Sequence, residues 1–166
     1  VENVAEEYIF RVFPHALGVK LDREKVLAIG EMRFNQSGPE NELFRRAMER
    51  AEPHLEWFEY STTRENVQPG SICDALFDCE DRGEIEEGVA SNMIRSFVGG
   101  GTDSTIAAIG HTLNLLANNP DQWAILREDP SKVRSAFEEA IRMESPFQVT
   151  YRTTTNEVEL SGVRLD

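Results

Sequence analysis

Cysteine is scarce in this chain. Its 166 residues contain two, Cys73 and Cys79, too few for a disulfide framework, so a reducing compartment is the default. Cations are short as well: 17 Lys plus Arg stand against 30 Asp plus Glu, a formal net charge of −13. Nucleic-acid backbones and anionic membrane surfaces are held by clustered cations, and so acidic a chain is a poor candidate for either. Long apolar runs are missing, since no stretch reaches the roughly 18 residues of a membrane span. No basic segment precedes an apolar run at the N-terminus, so no signal peptide is visible. The three histidines, His15, His54 and His111, show no metal-ligand spacing. A cytoplasmic protein without nucleic-acid or membrane partners is expected.

What is present reads as globular. The hydrophobic fraction is 40% and the charged fraction 28%, ordinary for a packed domain. Most of the chain carries helical periodicity, first over Glu2 to Leu17 and Asp22 to Phe34. A long helix is predicted from Asn41 to Arg64, with a kink or break at Pro53. Ser71 is placed to cap a short helix through Phe77. The acidic run from Glu80 to Glu87 reads as a solvated loop or helix start. The strongest helical pattern covers Val89 to Leu116, and shorter helices follow at Asp121 to Arg127 and from Ser131 to Glu144. Val149 to Thr155 and Glu157 to Leu160 alternate and are β-branched, so they read as strands. The class is mainly α with a little sheet at the C-terminal end, and no internal domain boundary is visible. The chain begins at Val1 in helix-like sequence and ends at Asp166 just past strand-like sequence. It is therefore expected to be an internal piece of a longer protein.

The stretch Gly99-Gly100-Gly101-Thr102-Asp103-Ser104-Thr105 is the most informative. Each helical glycine costs roughly 1 kcal/mol relative to Ala, so a sequence selected only for helix would not hold three together. The glycines could form an inter-helix loop with Thr102 or Asp103 capping the next helix, cradle a phosphate, or permit close helix packing. They could instead let the backbone approach a large flat ligand, with an acid and two hydroxyls beside it for proton delivery. No Walker lysine follows and no strand precedes, which weakens the phosphate reading. Glu139 and Arg142, three apart, share a helix face and by themselves read as a surface ion pair. Arg152 lies in extended sequence and is either an edge charge or a donor for a carboxylate.

In this order the stretches resemble the cytochrome P450 monooxygenases. Gly100-Gly101-Thr102-Asp103-Ser104-Thr105 looks like the oxygen-binding motif of that family's I helix, which usually reads Ala or Gly, Gly, any residue, Asp or Glu, Thr, Thr. Glu139-Ala140-Ile141-Arg142 looks like its K-helix Glu-x-x-Arg, and Arg152 matches a position that often binds a haem propionate. The resemblance covers the whole chain, as a partial fold from helix E to the first strands after helix K. Four further stretches look most like the soluble bacterial members that oxidise para-substituted benzoates. They are Phe10 to Pro14, Gly38 to Leu43, Ser145 to Gln148 and Arg152 to Thr155.

The resemblance implies a haem-b enzyme that activates O2 to hydroxylate or O-demethylate a small aromatic carboxylic acid. Its electrons would come from an iron–sulfur ferredoxin with an NAD(P)H-dependent reductase. Asp103 becomes the relay acid, Ser104 stands where threonine is usual, and Thr105 is a supporting hydroxyl. Gly100, Gly101 and Arg152 fall to the haem. Ser96, Gly99, Phe147 and Thr150 fall to the substrate-pocket wall, Phe34 to its roof, and Glu139 with Arg142 to a structural role. The family's thiolate ligand sits in a Phe-Gly-rich loop ending Cys-x-Gly. Ile72-Cys73-Asp74 and Asp78-Cys79-Glu80 do not match it, so the fragment alone is expected to be inactive. The rival class is a non-enzymatic acidic helical module that binds a ligand or serves as a scaffold.

Overall fold

The computed structural model describes residues 2–149 and 152–165. A π-helical turn over Glu2–Glu6 runs into α1 (Glu7–Leu17), which stops at Gly18, whose left-handed φ of 79° lets its N–H return to the carbonyl of Pro14. Asp22 caps α2 (Arg23–Asn35) by accepting from the Lys25 N–H, and Asn41 caps α3 (Glu42–Ala51) through the Phe44 N–H. Pro53 breaks the next stretch as predicted: a 3₁₀ turn over Glu52–His54 separates α3 from α4 (Leu55–Ser61). The helix predicted to reach Arg64 ends at Ser61. There the Ser61, Thr62 and Thr63 hydroxyls donate to the carbonyls of Phe58, Glu59 and Tyr60, a local alternative to further helix.

Ser71 caps α5 through the Asp74 N–H, and α5 (Ile72–Asp81) runs a turn past the predicted end. Then comes α6 (Val89–Asn118), 30 residues unbroken and so about 45 Å long. The three glycines lie inside it, which removes the loop-and-cap reading. α7 (Pro120–Glu128) follows after one residue, and a 3₁₀ turn over Pro130–Lys132 leads into α8 (Val133–Met143). Asp129 caps that turn: its carboxylate accepts from both the N–H and the hydroxyl of Ser131.

The sheet differs from expectation. β1 (Val158–Leu160) pairs antiparallel with β2 (Val163–Leu165), Leu160 opposite Val163. Ser161 and Gly162, both at positive φ, form the tight turn. Of the predicted strand over 149–155, the described residues, Val149 and 152–155, are irregular. A strand needs a ladder partner, and the described residues supply none there.

α6 is the axis of the core. Ile94 and Val98 on it are fully buried among Val26 and Ile29 of α2, Phe58 of α4, Cys73 and Phe77 of α5 and Leu17 of α1. A smaller cluster joins Ile106 to Ala5 and Ile9. Burial of this apolar set against one long helix holds α1, α2, α4 and α5 around it. Among the described residues no helix is long and apolar enough to cross a membrane.

Candidate functional site

The three glycines of α6 meet three different surroundings. A Cβ on Gly99 would lie 2.2 Å from the Arg33 guanidinium, and one on Gly101 would lie 2.4 Å from the Phe13 ring. One on Gly100 would meet nothing within 4 Å. Gly99 and Gly101 thus let α2 and α1 pack closely, while Gly100 keeps a strip of the central helix open. Phe13, Leu17, Ser96, Phe97, Gly100 and Gly101 line a hollow of about 410 Å³ over that strip. The asymmetry predicts that Gly101→Ala destabilises the intact protein by about 1–2 kcal/mol through overpacking on Phe13. Gly100→Ala should gain up to about 1 kcal/mol from helix propensity. Denaturant titration of the two variants checks this ordering.

Asp103 is lodged between α6 and α2. A Cβ on Gly30 would sit 1.6 Å from its Oδ2, so the carboxyl occupies the space that Gly30 leaves. Oδ2 is buried without a hydrogen-bond partner. Burial, and secondarily the Glu6 carboxylate, push the Asp103 pKa up to about 6. Glu6 is itself held by Arg23 at 2.6 Å. Ser104 donates to the carbonyl of Gly100 at 2.5 Å, Thr102 to that of Val98 at 2.7 Å, and Ser96 to that of Asn92 at 2.9 Å. Thr105 is half-buried on the same helix. Ser96, Gly100 and Gly101 therefore share one hollow, and the Asp103 carboxyl sits against α2.

A second hollow, of about 280 Å³, gathers residues far apart in sequence: Arg33, Phe34, Ser37, Pro146, Phe147 and Arg152 among them. The Phe34 and Phe147 rings stack at 4.8 Å, tilted by 18°. Arg33 joins this hollow to α6, because its guanidinium lies over Gly99 and donates to the carbonyl of Arg95 at 3.1 Å. Burial, then repulsion from Arg95, lower the Arg33 pKa. Thr150 lies outside the described residues. Glu139 and Arg142 form a bidentate pair with two contacts of 2.7 Å on the exposed face of α8. Those hydrogen bonds hold Glu139 below the usual carboxylate range. Glu139 also borders a hollow of about 300 Å³ with Thr112, Leu116, Ala140 and Met143.

The cysteines stand apart from these surfaces. Cys73 is fully buried in the core, where burial pushes its thiol up to about 11. Arg82 donates to the Cys79 sulfur at 3.3 Å. Among the described residues no group of three or more His, Cys, Asp or Glu could hold a metal ion. Sequence reasoning missed Gly30, Arg33 and Phe13. Only Gly30 carried a signal, as a glycine inside a predicted helix.

Comparison with known proteins gives consistent relatives, although no family model matches the chain. It is 41% identical over 166 residues to "Cytochrome p450 CYP199A2" of Rhodopseudomonas palustris, covering 99% of this chain and 40% of the relative. It is 34% identical over 119 residues to "Cytochrome P450 107B1" of Saccharopolyspora erythraea, covering 68% of this chain and 29% of that one. Among solved structures, CYP109E1 of Bacillus megaterium in complex with testosterone superposes with a TM-score of 0.75 at 20% identity, over 99% of this chain and 45% of that one. The chain thus spans less than half the length of the proteins it matches.

Proposed function

The chain belongs to the cytochrome P450 family, and from that premise we propose that the intact protein is a haem-thiolate monooxygenase. Its substrate on this reading is a small aromatic carboxylic acid, hydroxylated or O-demethylated. The observation that carries the proposal is the open strip at Gly100, with the Ser104 alcohol one turn along the same helix and Asp103, a half-buried acid turned toward α2, next to it in sequence. A flat apolar group fits that strip, since Gly100 presents no side chain and Phe97 and Ser96 beside it are exposed. A haem there would lie against Gly100, with Ser104 at its edge, and would supply the binding and reductive activation of O2. On this reading the thiolate is neither Cys73, which is buried in the core, nor Cys79, whose flanking Asp78 and Glu80 do not match the family's Cys-x-Gly loop.

The chain's own residues then bind and move protons. Asp103, its pKa raised toward neutrality, is mostly ionised at physiological pH and can take up a proton and release it again. Ser104 donates to the Gly100 carbonyl, which leaves its oxygen lone pairs available. It can accept a proton there and pass on its own. Phe34 and Phe147 form an apolar wall against an aromatic ring, and Ser96 offers a hydroxyl for a carboxylate. Arg152 is assigned to a haem propionate and Thr105 to support of the relay. A cytoplasmic enzyme with an iron–sulfur ferredoxin as electron donor completes the proposal.

Two measurements on the intact protein test it. A reduced-CO spectrum with the thiolate-haem band, together with turnover of a para-methoxybenzoate, is expected; absence of that band would overturn the enzyme reading in favour of a non-catalytic helical module. Ser104→Thr should raise product formed per NADH, because the added methyl restricts χ1 and holds the hydroxyl in one orientation. An unchanged ratio would remove Ser104 from the relay.

A further inference from the structure

α2 and α6 meet through a reciprocal arrangement. α2 contributes Gly30 and, one turn on, Arg33. α6 contributes Gly99 and, one turn on, Asp103. Each charged side chain lies where the opposing glycine has none: the Asp103 carboxyl 1.6 Å from a Cβ position on Gly30, the Arg33 guanidinium 2.2 Å from one on Gly99. The two charges do not pair. Arg33 donates to the Arg95 carbonyl, and Asp103 Oδ2 has no partner. Gly30 is buried among Ala28 and Ile29, so the helix has no freedom to slide there without losing core contacts. A glycine in a buried helix interior is unfavourable by itself. Here it has a specific occupant.

We propose that Gly30 is a positioning residue for Asp103: the gap it leaves in α2 seats the carboxyl, and with Arg33 over Gly99 it forms a two-point interlock that fixes the register of α2 on α6. The seat excludes water from one face of the carboxyl and leaves Glu6, bound to Arg23, as its charged neighbour. Arg33 is the nearby cation from α2, committed to α6 backbone. The consequence for proton delivery rests on the relay reading above; the seat itself does not.

The test is a double-mutant cycle in the intact, haem-loaded enzyme. Near pH 4, where the native carboxyl is neutral, Gly30→Ala should lower the unfolding midpoint, and the infrared titration of the Asp103 carboxyl should move to lower pH by about one unit or more, as a displaced carboxyl becomes wetter. In an Asp103→Ala background the same change should instead raise the midpoint, since the methyl enters vacated space and alanine is the better helix former. The three heavy atoms nearest to the added methyl all belong to the carboxyl, and Asp103→Ala removes them. Product per NADH should fall in Gly30→Ala with substrate affinity unchanged. If Gly30→Ala fails to fold, recovery in the double variant supports the seat. Equal damage in both backgrounds, or an unmoved carboxyl titration, overturns it. Coupled midpoints with normal product yield leave the seat standing and overturn the relay role of Asp103 instead.

Discussion

Asp103→Asn in the intact enzyme is expected to lower turnover by about a hundredfold, the lower end of what a positioned general acid contributes. Substrate affinity should be little changed, since the carboxyl faces α2 and not the hollow at Gly100. The limb of the pH profile near 6 should disappear with it, because the native carboxyl titrates at about 6. The same group gives a stability signature of opposite sense to an ordinary salt-bridged aspartate. Its pKa rises from 3.8 to about 6 on folding, so between those values the native state holds a proton that the unfolded chain has released. Stability therefore falls as pH rises through that window, and the full penalty is present above it. Two units would correspond to about 3 kcal/mol, and partial exposure of the group reduces this to about 1–2 kcal/mol. Asp103→Asn should thus gain stability over the parent progressively from about pH 4 to pH 6 and hold that gain above. Chemical denaturation across that range reads the difference directly. A gap that does not vary with pH would remove the buried carboxylate from the account.

Gly100→Leu separates the fold from the open strip. Nothing lies within 4 Å of the position, so the protein should accommodate the side chain. Leucine is also the better helix former by about 1 kcal/mol, so helicity should be unchanged or greater. The new side chain would project into the hollow lined by Phe97 and Ser96. Overpacking against a bound flat group costs about 1–3 kcal/mol, so haem affinity should fall by roughly ten- to hundredfold. Haem content and far-UV circular dichroism, measured on one preparation, give the comparison. Haem retained at parental affinity would show that the strip is not where it binds.

The sequence carried the helical class because its signals are local: capping side chains at Asp22, Asn41 and Ser71, a break at Pro53, and apolar spacing along α6. It also marked Gly99 to Gly101 as costly and so purposeful. It read a strand over 149–155 from β-branched composition, whereas Val149 and residues 152–155 are irregular, with no ladder partner among the described residues. It passed over β2, whose Ser161-Gly162 turn was a readable signal.

The residue pattern alone determined that the chain is mainly helical and where its acid, hydroxyls and glycines stand in order. It also placed the chain within a family, since motif order and spacing survive in one dimension. Which glycine is open was decided only in three dimensions, by Phe13 over Gly101, Arg33 over Gly99 and nothing over Gly100. The seating of Asp103 in Gly30 and the stacking of Phe34 on Phe147 were decided there too. The physical reason is that periodicity reports which face of a helix is apolar, whereas burial, proton affinity and open space depend on which atoms a distant helix brings to that face.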